Sequence, residues 1–180
     1  MKTFSILMPS MHSRKVFYDR MCERLFPQLT SEVEIISSID SGEVPLAKKI
    51  NQLYKEATGK YVALVNDDDL LPYDYISTIL TAARSDADIL LGEIHQWWND
   101  QNFEDAKIIT RYENVIPALT ELVQRYCIYD ENLEVERQDS IVSAKLSRNA
   151  DEVHLIKKPI YYHLRRRKGC NSPYTFKELE

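Results

Sequence analysis

The sequence predicts an α/β domain with a mixed, mostly parallel sheet flanked by helices, and three observations carry that prediction. Short apolar runs recur, each closed by turn residues and followed by a stretch with helical periodicity, the alternation that builds parallel sheets through crossover helices. One run, Lys60-Tyr61-Val62-Ala63-Leu64-Val65, is the apolar strand expected of a sheet covered on both faces, and it ends in three consecutive carboxylates, Asp67-Asp68-Asp69. Finally, 180 residues of which 44% are apolar are enough for one core, suiting a single domain or a domain with a short appendage.

Taken in order, Thr3-Phe4-Ser5-Ile6-Leu7-Met8 reads as a strand ended by Pro9-Ser10, and a helix with Val16, Met21, Leu25 and Phe26 follows. Val33-Glu34-Ile35-Ile36-Ser37-Ser38-Ile39 is the second strand, and the turn Asp40-Ser41-Gly42 sets a lone acid at its carboxyl end. Pro45 stands at a first helical position, Leu46, Ile50, Leu53, Tyr54 and Ala57 form one apolar face, and Gly59 closes the helix. The acid-tipped strand is third. Right-handed crossovers make these three strands parallel, so Asp40 and the aspartate cluster share one rim.

After Pro72, the residues Tyr75, Ile76, Ile79, Leu80 and Ala83 mark a helix, and Ala87-Asp88-Ile89-Leu90-Leu91-Gly92-Glu93 marks a fourth strand. Trp97, Trp98 and Phe103 then fall in a polar stretch, either as a lid over the core or as a platform for a sugar ring; the lid is preferred, because tryptophans are usually largely buried. Helices are expected over 115–126 and 139–148, the second with Ile141, Val142 and Leu146 inward. Two strand-like segments, Val153-His154-Leu155-Ile156 and Pro159-Ile160-Tyr161-Tyr162-His163-Leu164, are joined by Lys157-Lys158. The expected plan is one domain over 1–164, with halves 1–93 and 94–164, and a basic, polar tail over 165–180.

The triplet carries the chemistry. Ligands of open α/β sheets sit beyond the carboxyl ends of the strands, and adjacent aspartates there repel one another and raise each other's pKa. A hard divalent cation with oxygen ligands, Mg²⁺ or Mn²⁺ carrying phosphates, is the natural compensation. A solvated cap for the helix after Pro72 accounts for the same residues equally well. The formal charge of −5 argues against a protein wrapped in nucleic acid by its overall field. Cys22, Cys127 and Cys170 match neither a disulfide framework nor a zinc site, so reduced thiols and a cytoplasmic location are expected. The apolar run at the start is too short for a signal peptide, and no later stretch approaches a membrane span.

Together, Ser5-Ile6-Leu7-Met8-Pro9-Ser10, the strand ending at Asp40, Ala57-Thr58-Gly59-Lys60-Tyr61-Val62-Ala63 and Asn66-Asp67-Asp68-Asp69-Leu70-Leu71-Pro72-Tyr73-Asp74-Tyr75-Ile76 resemble the nucleotide-sugar half of a family 2 glycosyltransferase with the GT-A (Rossmann-like) fold. The resemblance covers about the first 93 residues and thins beyond them. It implies an inverting transferase whose donor is a nucleotide sugar, UDP-linked for preference, with a DXD-like motif holding Mn²⁺ or Mg²⁺ on the diphosphate. Asp68 and Asp69, with His163, are the implied metal ligands; Pro9, Ser10, Asp40, Asn51, Asp67, Asp68 and Arg165 are the implied donor-binding set. Two departures are visible: Asn66 stands where the family often has an acid, and Asp40-Ser41-Gly42 replaces the usual Asp-Gly-Ser.

In the second half, Arg137-Gln138-Asp139-Ser140-Ile141-Val142 resembles the family's Glu-Asp at the start of a late helix, which implies Asp139 as the base that deprotonates the acceptor and Glu136 as its reserve. A plain helix cap is the alternative for Asp139. Pro159-Ile160-Tyr161-Tyr162-His163 and the basic run 165–168 resemble the ending of small bacteriophage members, which lays a histidine or arginine beside the diphosphate. A solvated basic tail and a packed histidine are the simpler readings. The acceptor is open among hydroxyl compounds, including glycans and hydroxymethylated DNA bases.

Three rivals are weighed. A dinucleotide-dependent oxidoreductase needs a glycine-rich turn after the first strand, and Pro9-Ser10-Met11-His12-Ser13 has no glycine. A sugar-nucleotide nucleotidyltransferase shares the sheet and metal but usually carries a glycine-rich basic loop near its start. A catalytically degenerate donor-binding module is favoured by the short second half and by Asn66.

Overall fold

The computed structural model describes residues 2–98, 107–109, 115–131 and 135–165. Strands β1 (Phe4–Met11), β2 (Val33–Asp40) and β3 (Tyr61–Leu64) are parallel, with β1 between the other two. The composition explains that order. All of β1 except Met11 is buried and all four residues of β3 are, whereas only Val33 of β2 is, as suits an edge. Helices α1 (Lys15–Leu25), α2 (Leu46–Glu56) and α3 (Tyr75–Ala82) follow the three strands in turn.

The sheet continues through β4 (Ile89–Trp98), β5 (Lys107–Ile109), β6 (Ala118–Leu119) and β7 (Val153–Arg165), with helices α4 (Thr120–Tyr126) and α5 (Val135–Asn149) between the last two strands. Its order is β2-β1-β3-β6-β4-β5, and β7 pairs with β4. Because β6 is antiparallel to both β3 and β4, β4 regains the direction of the first three strands, and β7 is parallel to it. The sheet is therefore mixed and mostly parallel, as expected.

Several boundaries differ from the sequence expectation, among them that of β4, which runs on to Trp98 instead of ending at Glu93. First, β1 runs through Pro9 to Met11, because Pro9 lies beyond the last β1–β3 pair, Leu7 with Leu64, where a missing N–H is tolerated. The segment expected as helix from 115 instead contributes β6, Ala118 pairing with Val62 and Ile89, and helix α4 begins only at Thr120. Helix α5 starts four residues before Asp139, at Val135. Lastly, β7 is one strand: its register passes from Gly92↔Ile156 to Glu93↔Pro159, so Lys157 and Lys158 are taken up in a bulge rather than a turn.

Gly59 does not cap α2, which ends at Glu56; it lets the chain press against β1. Its N–H donates to Ser5 Oγ at 2.8 Å, and a Cβ there would lie 2.7 Å from the Ser5 backbone nitrogen. Backbone cannot move aside cheaply in a central strand. Gly59→Ala is therefore expected to lower stability by about 1–3 kcal/mol, read as a lower urea midpoint at unchanged m-value.

No helix among the described residues is long and apolar enough to cross a membrane, and Cys22 and Cys127 are buried free thiols. The side chains of Trp97 and Trp98, together with Phe103 and the tail from 166, lie outside the described residues.

Candidate functional site

Register brings the site together. Leu7 pairs with Leu64, so Ser10 and Asp67, each three residues further on, end level at the carboxyl rim, and Ser10 Oγ donates to Asp67 Oδ2 at 2.5 Å. On the other side of β1, Met11 pairs with Asp40, which places the lone acid on the same rim.

The three aspartates take different environments. Asp67 is buried at 3% exposure and is held by Ser10 and by the Arg14 guanidinium, whose Nε lies 3.0 Å from both carboxylate oxygens. Asp68 has a side chain 30% exposed and meets Arg14 Nη2 at 2.9 Å. Asp69 is buried at 2%; its Oδ2 accepts from the Tyr161 hydroxyl at 2.8 Å and from Asn66 Nδ2 at 3.2 Å. Tyr161 also accepts from the Asn66 backbone N–H at 3.1 Å, so β7 ties down both ends of the turn. Burial, then the neighbouring Asp69 charge, pushes the Tyr161 phenol well above its ordinary pKa, leaving it a donor at every physiological pH. Hydrogen bonding to Asp67 likewise raises the Arg14 pKa.

A backbone bridge between Leu70 and Tyr162, with both N–H···O distances 3.0 Å, docks the acidic turn onto β7. His163 is the next residue of β7 after Tyr162. His163 Nδ1 lies 3.1 Å from Gln96 Nε2. The residues fit an open metal site rather than a cage: no group of three or more His, Cys, Asp or Glu able to hold a metal is found among the described residues, but one or two carboxylates completed by phosphate oxygens are what Mg²⁺ and Mn²⁺ accept.

Asp40 is largely engaged within the chain. Oδ1 accepts from Gly42 N at 2.9 Å and from Lys49 Nζ at 2.6 Å, and Oδ2 accepts from Val44 N at 3.1 Å. Gly42, at φ +102°, supplies the left-handed turn that aims its N–H at the acid. The Lys49 hydrogen bond holds the Asp40 carboxyl below the usual carboxylate range. A base placed on Asp40 must use capacity these donors leave on Oδ2. Lys49, only 3% exposed, also donates to the Ser10 carbonyl at 2.7 Å, tying α2 to both rim strands.

Asn51, a member of the expected donor-binding set, is engaged within the chain. Asn51 is 5% exposed and its amide is committed to the Tyr129 backbone, donating to its carbonyl at 2.9 Å and accepting from its N–H at 2.8 Å. It clamps the segment after α4 onto α2. Asn51→Ala should cost about 1–3 kcal/mol through the orphaned Tyr129 backbone groups, by urea unfolding, while nucleotide affinity of the folded protein stays unchanged.

Tyr129, so clamped, donates its hydroxyl to Asp139 Oδ1 at 2.7 Å. Asp139 lies a full turn inside α5 and is half-buried, so it is not the cap of that helix. Pro9, in β1, is buried beneath the rim. The side chains of Glu136 and Arg165 lie outside the described residues.

Sequence reasoning missed Arg14, Lys49, Tyr129 and Tyr161. Lys49 had a signal: it falls within the apolar face of α2 beside Leu46, Ile50 and Leu53, where a charge needs a partner. Arg14 had none, since a basic residue early in a helical stretch is ordinary.

No family model and no curated protein matches the chain. Its fold, however, superposes on solved structures. S. aureus TarS 1–349 matches with TM-score 0.72 at 17% identity over 91% of this chain. The same protein in complex with UDP matches at 0.74 and 18% over 92%, and in complex with UDP-GlcNAc at 0.70 and 16% over 97%. The fold is GT-A. The chain spans 60% of TarS 1–349 and 37% of the longer TarS structure, so the GT-A similarity concerns this part of those proteins.

Proposed function

We propose that the chain is a metal-dependent, inverting glycosyltransferase that moves a sugar from a nucleotide-sugar donor, UDP-linked, to a hydroxyl acceptor. The observation that carries this reading is one rim bearing Asp40, Ser10 and the Asp67-Asp68-Asp69 turn on a GT-A fold whose matched structures include UDP and UDP-GlcNAc complexes. Asp40 and its turn meet the nucleoside. Asp68 and Asp69 would hold Mn²⁺ or Mg²⁺, which would supply charge stabilisation for the departing nucleoside diphosphate.

This chain's own contribution is positional. Asp67 fixes the turn through Ser10 and Arg14, Tyr161 presents Asp69, and Tyr129 orients Asp139. Asp139 accepts the proton of the acceptor hydroxyl as that oxygen attacks the anomeric carbon and the bond to the diphosphate breaks. The buried thiols Cys22 and Cys127 suit a reducing cytoplasm.

A donor-hydrolysis and transfer screen across nucleotide sugars, with Mn²⁺ and with EDTA, tests the reading. UDP-sugar turnover that needs the metal supports it. Nucleotide binding without any product would make the chain a donor-binding module, and pyrophosphate-dependent exchange would make it a nucleotidyltransferase. For the acceptor, glycans and hydroxymethylated DNA separate by salt: transfer to DNA should fall steeply with ionic strength, as counterion release requires.

A further inference from the structure

Three adjacent carboxylates demand a positive partner, and the structure supplies one from within the chain. The Arg14 guanidinium lies across two of the three: Nε is 3.0 Å from each Asp67 oxygen, and Nη2 is 2.5 Å from Asp67 Oδ1 and 2.9 Å from Asp68 Oδ2. The two contacts are unequal. The Asp67 side chain is 4% exposed and takes a forked pair of donors plus the Ser10 hydroxyl, whereas the Asp68 side chain is 30% exposed and meets Arg14 at one point. A forked pair on a dry carboxylate is strong and breaks only at large cost, while a single contact on a wet one is weak and screened.

We propose that Arg14 is a resident counter-cation of the acidic turn, anchoring Asp67 permanently and holding Asp68 only until a divalent cation takes that carboxylate. The proposal rests on the reading of Asp68 as a metal ligand. It divides the triplet: Asp67 is a post, and Asp68 is the exchangeable group. A cation arriving alone must displace the Asp68 contact, so it binds weakly by itself. Nη2 keeps its contact with Asp67 but loses the one with Asp68, so it would have a donor to offer a diphosphate oxygen, and nucleotide and cation would bind cooperatively.

The test is Mn²⁺ binding to the full chain without nucleotide, followed by the paramagnetic resonance of free Mn²⁺, for wild type and Arg14→Lys. Lysine keeps a charge for Asp67 but loses the planar fork that spans both carboxylates. The expected result is about tenfold tighter Mn²⁺ binding in the variant, some 1.4 kcal/mol, with a smaller gain on adding UDP; Asp68→Asn in the same background should abolish the increase. Unchanged or weaker Mn²⁺ affinity overturns the proposal, and so does absence of Mn²⁺ binding by both proteins. If Arg14→Lys does not fold, arginine-labelled wild type decides: Mg²⁺ should shift the Arg14 Nη resonances and leave Nε–H protected, and no shift at saturating Mg²⁺ overturns it. These measurements contain neither donor nor acceptor, so loss of transfer does not affect them. Transfer at full rate in EDTA would discard Arg14's role together with the metal dependence proposed above, leaving a metal-independent glycosyltransferase.

Discussion

Asp139→Asn is expected to cut sugar transfer by about 10²–10⁴-fold while leaving nucleotide and cation binding in place. That is the range a positioned general base contributes, equivalent to roughly 3–5 kcal/mol of barrier. The structure makes the substitution clean. Asp139 sits inside α5 rather than at its cap, so helix stability does not depend on the carboxylate, and the asparagine carbonyl can still accept the Tyr129 hydroxyl now 2.7 Å away. Product formation by chromatography and UDP calorimetry, run on the same preparation, separate the two effects. Transfer at the wild-type rate would remove Asp139 as the base and pass the role to Glu136.

The second large effect contrasts Asp68→Ala with Asp69→Ala. Asp68 is partly exposed, so its loss should leave the melting temperature close to wild type yet weaken Mn²⁺-dependent UDP binding by at least the ~10–100-fold that even a supporting group around a metal costs. Asp69 behaves differently, because it is 2% exposed and is the acceptor for a Tyr161 hydroxyl that is itself buried. Removing it orphans that donor, so Asp69→Ala should lose about 1–3 kcal/mol of stability as well as affinity. Of the two, only Asp68 is a partly exposed rim acid. Equal UDP affinity with Mn²⁺ and with EDTA in wild type would sink the metal assignment for both.

Much of the first half was legible in the chain. Periodicity and turn residues determine β1, β2, β3 and the helices between them, and crossover handedness puts Asp40 and the aspartate turn on one rim, because these are local patterns joined by a rule that depends only on order. In the second half the sequence alone identifies strand-like and helical segments but misplaces their limits. Ala118-Leu119 becomes a strand because β3 and β4 offer it open edges, and Lys157-Lys158 becomes a bulge because β4 continues past it; both outcomes depend on neighbours distant in sequence.

The sequence by itself therefore determined the architecture and the presence of concentrated negative charge at a strand end. Only the tertiary structure decided how that charge is divided. Arg14, from the turn that follows β1, neutralises Asp67, Tyr161 from the last strand claims Asp69, and Asp68 is left the most exposed of the three. Lys49 engages Asp40, and Asn51 clamps the Tyr129 backbone and, through the Tyr129 hydroxyl, steadies Asp139. Identical side chains at adjacent positions carry the same local signal; their roles separate only through burial and partners, which are set by contacts between residues dozens of positions apart.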